Sequence, residues 1–299
     1  MNPTPLQPIN HPLLEQHQVK LYFKREDLNH PVISGNKWHK LKLNLQAAQD
    51  QGYNTVLSFG GPYSNHIYAL AAAAKIYNLT SIGIIRGELH DNPTLTDAKN
   101  HGMQLYPISR HDYRKKTQTD FLMQLIEKFG PHYLIPEGGS NALAVQGCKA
   151  IINELKTQTD LSETLIACAC GTGGTLAGLI AGSIDSNCQL IGFAVLKQGE
   201  FLHDEIKQLL TLSGNSSPNN WQLDTNYHFG GYGKVPAELI HFILEFESYN
   251  PGIQLDPIYT AKLCYGLIDL IKQGKLDNRT IIAIHTGGLQ GRRGIPELQ

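Results

Sequence analysis

Short β-branched apolar runs alternate with helical patterns along almost the whole of this 299-residue chain. Runs at 19–24, 54–59, 81–85, 103–108, 132–135, 164–169, 189–196 and 280–285 read as strands. Between them, helical patterns begin at Lys37 and at Ser64 (through Tyr77), then recur near 94–101, 117–129, 142–157, from Leu176, and near 199–212, 236–248 and 259–273. Strands separated by helices pair in parallel and are covered on both faces. The expected class is therefore α/β, with helix-covered, mostly parallel, twisted sheets. The run at 19–24 reads as an edge strand, and the Ser-, Asn-, Gly- and Pro-rich stretch 213–220 as a surface loop. Glycine-bearing turns at 60, 138, 171 and 287 each follow a strand, and ligands of such sheets gather beyond the strands' carboxyl ends.

The formal net charge of −1 gives no electrostatic case for nucleic acid or membrane partners. No apolar stretch approaches the ~20 residues that span a bilayer. The start Met1-Asn2-Pro3-Thr4-Pro5 lacks a basic region followed by an apolar run, so no signal peptide is expected and a cytoplasmic location is. Five cysteines (Cys148, Cys168, Cys170, Cys188, Cys264) without CxxC spacing read as buried, reduced thiols. The thirteen histidines show no HExxH-type spacing, and no metal is expected.

Two features carry chemistry. The first is Ser34-Gly35-Asn36-Lys37, which leads into the periodic run Leu41, Leu43, Leu45, Ala47, Ala48. That setting puts Lys37 at a helix start. An amine near a positive helix end and partly withdrawn from water has its ammonium form disfavoured, so it can serve as nucleophile or base. The second is Gly171-Thr172-Gly173-Gly174-Thr175, between a buried strand and a helix N-terminus. Such a loop turns backbone N–H groups and two hydroxyls toward one point, as a phosphate requires; the plainer alternative is a tight turn with no ligand. Neither common nucleotide motif fits: Leu176 stands where GxGxxG needs glycine, and Leu179-Ile180 follow Gly178 where a Walker loop needs Lys-Ser/Thr. A phosphate cup plus a reactive amine points to pyridoxal 5'-phosphate.

Further candidates are less specific. Ser64-Asn65-His66 offers hydroxyl, amide and imidazole at a helix start, or Ser64 simply caps that helix. Tyr232 lies among Gly230, Gly231 and Gly233, and Tyr259 opens a helix; tyrosines so placed more often pack than react. Thr286 follows a strand end, where its hydroxyl can bond a ring nitrogen or its own turn. No GxSxG elbow makes Ser64 a hydrolase nucleophile.

Taken in order, Ser34 to Lys37, Gly60-Gly61-Pro62-Tyr63-Ser64-Asn65-His66, Pro136-Glu137-Gly138-Gly139-Ser140-Asn141, Gly171 to Thr175, Asp256-Pro257-Ile258-Tyr259-Thr260 and His285-Thr286-Gly287-Gly288 span nearly the whole chain. This ordered set resembles the D-cysteine desulfhydrase and 1-aminocyclopropane-1-carboxylate (ACC) deaminase family of fold type II pyridoxal-phosphate enzymes. The resemblance implies a large cofactor-binding domain, 1–45 plus 148–299, and a small inserted α/β domain, 46–147, with the cofactor in the cleft and a homodimeric assembly. It implies that Lys37 forms the covalent link to the cofactor, Asn65 bonds its 3′ oxygen, Lys40 and Gly171 to Thr175 hold its phosphate, and Tyr259 lies against its ring. Ser64, Asn65, His66, Tyr63 and Tyr232 would meet the substrate, with Lys37, Ser64, Tyr232 and Tyr259 in the catalytic set and Thr286 at the ring nitrogen.

Deaminases of this group resemble one another in a Glu after the DPxY tyrosine and an aliphatic residue late in the chain, where this sequence has Thr260 and Thr286; desulfhydrases resemble this sequence at both places. The resemblance thus favours elimination from a small D-amino acid, D-cysteine first, over deamination of ACC. Two departures, Tyr63 for the family's Gln and Trp38-His39 for its Thr-Arg, are expected near the substrate pocket.

Overall fold

The computed structural model describes residues 3–89 and 91–299. The chain begins with β1 (Leu6–Pro8), α1 (Pro12–Gln16), β2 (Lys20–Lys24) and α2 (Asn36–Asp50). It continues through β3 (Thr55–Gly60), α3 (Asn65–Ile76), β4 (Thr80–Arg86), α4 (Pro93–Asn100), β5 (Gln104–Ile108), α5 (Arg110–Tyr113), α6 (Thr119–Phe129) and β6 (Tyr133–Leu134). The remainder is α7 (Ala142–Gln158), β7 (Leu165–Cys170), α8 (Gly174–Gly182), β8 (Gln189–Ala194), α9 (Leu202–Leu212), β9 (Trp221–Asp224), α10 (Ala237–Tyr249), α11 (Thr260–Lys272) and β10 (Thr280–Ile284).

Among the described residues the strands form two sheets, β1-β2-β10-β7-β8-β9 and β5-β4-β3-β6. Every pairing is parallel except β1 with β2. The fold is thus α/β with mostly parallel sheets. The first sheet draws its strands from both ends of the chain; the second is built wholly from the stretch between β3 and β6. Strand β7 shows why the larger sheet must be covered twice. Leu165 and Ala167 face one cluster with Phe193, Leu263 and Leu267, while Ile166 and Cys168 face another with Leu176, Leu190 and Ile206. Burying each such aliphatic side chain contributes about 1.5–3 kcal/mol, so neither face tolerates solvent.

Helix α2 touches both halves. Its Leu41, Leu45 and Ala48 pack with Ile67, Leu70 and Ala71 of α3 beside the smaller sheet. On its other side α7 comes so near that a Cβ on Gly147 would fall 2.0 Å from the His39 carbonyl oxygen. Only glycine permits that approach.

Two expectations differ from the structure, and one strand appears that was not expected. β2 is not an edge strand: the three-residue β1 covers it, pairing Leu6 with Lys24. So short a strand leaves no alternation to read. Immediately after the 213–220 loop comes β9, which extends the sheet beyond β8. The helix expected from Leu176 begins at Gly174, which puts Gly174 and Thr175 in its first turn. All five cysteines are buried and free, as expected. Among the described residues no helix is long and apolar enough to cross a membrane, and no His/Cys/Asp/Glu cluster could hold a metal.

Candidate active site

Lys37 enters the site on a constrained turn. Gly35 has φ +72°, and a Cβ there would lie 1.7 Å from the Thr286 carbonyl oxygen. Its N–H donates to the Glu26 carbonyl at 2.9 Å and to Asn29 Oδ1 at 3.0 Å. Asn29 Nδ2 returns a bond to the Gly35 carbonyl at 2.9 Å. The Asn36 N–H then donates to the Thr286 carbonyl at 3.2 Å, so the start of α2 is tied to the end of β10. From this turn Lys37 Nζ donates to Asn36 Oδ1 at 2.8 Å. Asn36 Nδ2 in turn donates to Thr175 Oγ1 at 2.8 Å. Burial first, then the charge of Lys40, lowers the Lys37 amine from the usual lysine range to about 7.

Lys40, one turn further along α2, reaches the glycine loop. Its Nζ donates to Ser140 Oγ at 2.9 Å and the Gly138 carbonyl at 3.1 Å, with Thr172 Oγ1 at 3.5 Å. Ser140 Oγ and Thr172 Oγ1 are 2.6 Å apart. A Cβ on Gly174 would meet Ser140 Oγ at 2.6 Å and Lys40 Nζ at 3.1 Å. Bare backbone at Gly174 thus lets the ammonium, two hydroxyls and the first N–H groups of α8 crowd one spot, as an anion cradle requires. Ser140 was not singled out from the sequence; its signal was the Gly-Gly-Ser-Asn turn. Thr175 departs from the simple loop picture, since its hydroxyl is buried and already accepts from Asn36.

The third edge is the start of α3. Ser64 caps that helix, accepting from the Ile67 N–H at 3.3 Å. Asn65 Nδ2 donates to the Gly288 carbonyl at 2.9 Å, and its buried Oδ1 has no partner. A Cβ on Gly288 would sit 2.3 Å from that Nδ2, so the 285–288 turn and α3 interlock only through glycine. His66 is buried, with Nε2 2.8 Å from Ser58 Oγ. Ser58 Oγ also lies 3.3 Å from the Pro136 carbonyl oxygen, and the buried His66 Nδ1 has no hydrogen-bond partner among the described residues. Burial, reinforced by Lys37 and Lys40, holds this imidazole well below its usual range and therefore neutral. Tyr63 stands at the rim, 52% exposed.

The fourth edge comes from the start of α11. A Cβ on Gly171 would lie 3.0 Å from Tyr259 Cε1 and 3.5 Å from its Oη, which brings the hydroxyl end of the Tyr259 ring against the glycine loop's backbone. Tyr259 Oη donates to Tyr232 Oη at 3.3 Å, with the two rings edge to face at 6.0 Å. Burial and then Tyr232 push the Tyr259 phenol well above its ordinary range. Asp256, fully buried, accepts the Tyr259 and Ile258 N–H groups on Oδ1 at 2.6 and 3.0 Å. Its Oδ2 has no partner, and burial raises its carboxyl to about 7. Thr260 Oγ1 accepts the Asp256 N–H at 2.7 Å, so that hydroxyl stabilises the turn. Asn36 and Asp256 stand in the sequence only as members of motifs, without roles of their own, and Lys262 carries no local signal at all.

Lys37, Lys40, Ser64 to His66, Gly171 to Thr175, Tyr232, Tyr259 and Thr286 therefore gather at the carboxyl ends of strands from both sheets. Trp38 and His39 do not follow the expectation of a pocket position. Trp38 stacks on His30 at 5.0 Å, and His39 is buried with Nε2 2.6 Å from Glu26 Oε2. The pair braces the turn that carries Lys37 instead of lining the cavity.

Comparison with known proteins agrees with this geometry. A family model described as pyridoxal-phosphate dependent enzyme matches residues 1–287. The chain is similar to a putative 1-aminocyclopropane-1-carboxylate deaminase of Pyrococcus horikoshii, at 33% identity over 91% of this chain and 85% of the relative. The bifunctional D-cysteine desulfhydrase/1-aminocyclopropane-1-carboxylate deaminase, mitochondrial, of Arabidopsis thaliana is also 33% identical, over 97% and 77% of the two chains. A D-cysteine desulfhydrase of Yersinia enterocolitica is 28% identical over 96% and 92%. Among solved structures, an ACC deaminase homologue superposes with a TM-score of 0.85 at 31% identity, covering 96% of this chain and 90% of that one. A fungal L-serine ammonia-lyase from Rhizomucor miehei, at 17% identity and TM-score 0.66, shares the fold.

Proposed function

The chain belongs to the D-cysteine desulfhydrase and ACC deaminase family of pyridoxal-phosphate-dependent enzymes, and we propose that it is a lyase performing α,β-elimination on a small D-amino acid, D-cysteine first. The observation that carries the reading is the meeting of one amine lowered to about 7 with an anion cradle. Pyridoxal phosphate fits the residues present. Lys37 offers an amine for its aldehyde. Lys40, Ser140, Thr172 and the backbone at Gly174 suit a phosphate. The unpartnered, buried Asn65 Oδ1 suits a ring hydroxyl. Tyr259 offers a flat wall, and Thr286 a hydroxyl for the ring nitrogen.

When bound, the cofactor supplies an electron sink for charge developing at the substrate's α-carbon. The protein's own groups do the rest. Lys37 Nζ, lowered to about 7 and so about half neutral at pH 7, takes the α-proton. Ser64 and the first N–H groups of α3 orient the substrate carboxylate. Tyr232 Oη, held beside Tyr259, gives a proton to the departing sulfur. D-cysteine and water then yield pyruvate, hydrogen sulfide and ammonia. In this reading residues 46–147 form the small inserted domain, the remainder holds the cofactor, and two chains assemble as a homodimer.

The second reading is ACC deamination to 2-oxobutyrate and ammonia, favoured by the names of several relatives. Against it stands hydroxyl rather than carboxylate chemistry at Thr286 and Thr260, which leaves a weaker sink, sufficient where an α-proton can be removed. The test is steady-state assay of the cofactor-loaded enzyme on D-cysteine, L-cysteine, D-serine and ACC. Pyruvate and sulfide from D-cysteine alone are expected. 2-Oxobutyrate from ACC at a higher kcat/KM would transfer the assignment to the second reading.

A further inference from the structure

Lys262 is a fully buried lysine with no carboxylate in hydrogen-bonding reach. It lies in the first turn of α11, three residues after Tyr259, which is the N-cap of that helix. Its Nζ donates to the Gly231 carbonyl at 2.9 Å and the His228 carbonyl at 3.0 Å. Both carbonyls already serve successive turns, accepting from Lys234 N and Gly231 N at 3.2 and 3.0 Å. The ammonium therefore sits at the focus of two linked turns whose crest is Tyr232.

The segment's other restraints lie ahead of its crest: the Gly230 N–H donates to His228 Nδ1 at 2.9 Å, and the Phe229 ring meets Tyr265 edge to face at 4.8 Å. Phe229, Gly230, Gly231 and Gly233 all have positive φ (53°, 89°, 132° and 75°), and three of the four are glycines. Cβ atoms built on Gly230 and Gly231 would meet nothing nearer than 3.9 and 3.6 Å, so packing supplies little restraint. The Tyr232 ring is 43% exposed. Hydrogen bonds, not packing, must hold the crest in place. Burial lowers the Lys262 ammonium to about 8, partly opposed by Asp256, the carboxylate that acts on it. A buried cation without a hydrogen-bonded carboxylate is expensive, and among the described residues the two carbonyls accept its hydrogen bonds while Asp256 acts from further off.

We propose that Lys262 is a positioning residue: by clamping the 228–231 turns to the helix that carries Tyr259, it fixes the Tyr232 hydroxyl against the Tyr259 hydroxyl at the mouth of the site. The proposal rests on the reading above that Tyr232 moves a proton. The linkage is mechanical: one rigid turn of α11 holds both ends of the Tyr232–Tyr259 contact, Tyr259 directly and Tyr232 through the ammonium.

The test is a double-mutant cycle on the cofactor-loaded enzyme, using K262M, which keeps the side-chain length, and Y232F, together with amide hydrogen exchange. K262M is expected to lower kcat roughly tenfold or more with KM changed less, the size of effect a charged hydrogen bond carries. In the Y232F background K262M should change kcat little, because its route of action is already gone. Exchange at Gly231 and Lys234 should quicken by roughly tenfold or more in K262M, with α11 beyond its first turn unchanged. Additive losses in the double mutant, or unaltered exchange at Gly231 and Lys234, would overturn the clamp. A Y232F enzyme of wild-type kcat would instead overturn the proton-transfer role of Tyr232, and the exchange data would still decide the clamp. If K262M does not fold, K262Q, with one donor group on a shorter stem, is read in the same way.

Discussion

The Lys37 ammonium and the Asn36 carboxamide are neighbours in sequence and bonded in space, Nζ to Oδ1 at 2.8 Å, while the far side of that carboxamide is anchored on Thr175. The amine is thus aimed by a side chain that is itself held. Asn36→Ala should keep the cofactor's visible absorbance yet lower kcat roughly ten- to hundredfold, the usual consequence of a catalytic group misplaced by about 1 Å. Steady-state rates beside absorbance spectra of the same samples check it. Asn36→Asp should raise the amine above about 7 by placing a carboxylate beside it.

Capture of the cofactor by the cofactor-free protein needs the neutral amine. With the amine at about 7, the capture rate should climb through neutral pH and level off near pH 8; an ordinary lysine would still be climbing at pH 9. Stopped-flow absorbance against pH reads this directly. Between about 7 and 10.5 the unfolded chain holds a proton on Lys37 that the folded chain does not, so stability of the cofactor-free protein should rise with pH across that window. Lys37→Ala should lessen that slope, with Lys262 keeping its own share above about 8, and should remove the visible absorbance and turnover together. A borohydride-trappable link to the cofactor in Lys37→Ala would assign the role to another lysine.

Lys40→Met removes the one charge in the anion cradle while keeping the stem's length. The cofactor's Kd should rise by roughly ten- to hundredfold, in line with the loss of charge-assisted hydrogen bonds. Thr286→Ala should raise it less, since a single neutral hydroxyl is lost. Equilibrium titration followed by absorbance ranks the two, and a larger effect at Thr286 would count against the cradle at Lys40.

Gly35 is the most exacting backbone position of the site. Ala there combines a positive φ with a Cβ 1.7 Å from the Thr286 carbonyl oxygen, which backbone movement alone can relieve. Gly35→Ala should lower stability by about 3 kcal/mol or more and abolish cofactor binding. Denaturant melts of the cofactor-free protein measure the first, absorbance the second.

Much of this was legible in sequence because the chemistry sits where strand patterns end. Apolar β7 followed by Gly171 to Thr175, and Ser64 ahead of the alanine-rich α3, announce their own positions. The resemblance to a family added the roles of Lys37, Asn65 and Tyr259. What could not be read depends on partners remote in sequence. The Lys40 ammonium needs Ser140, a hundred residues away, and Lys262 needs the carbonyls of His228 and Gly231. Asp256 caps the turn before α11, and burial also leaves it an acid near neutrality, which nothing in its sequence neighbourhood announces. His39 and Trp38 misled because adjacency to Lys37 suggested the pocket; in a helix, consecutive side chains point about 100° apart, and these two point toward Glu26 and His30.

Helix α2 joins the two halves, gripped by α7 at Gly147 and by α3 through Leu41 and Leu45. The larger half covers both faces of its sheet without α2, whereas the smaller half takes Leu41, Leu45 and Ala48 of α2 into its interior, and a fragment cut at either boundary proposed for the inserted segment would sever a helix, α2 at one and α7 at the other. Melting of the whole molecule should accordingly be a single cooperative event, with the reactive amine lost at the same temperature as both sheets.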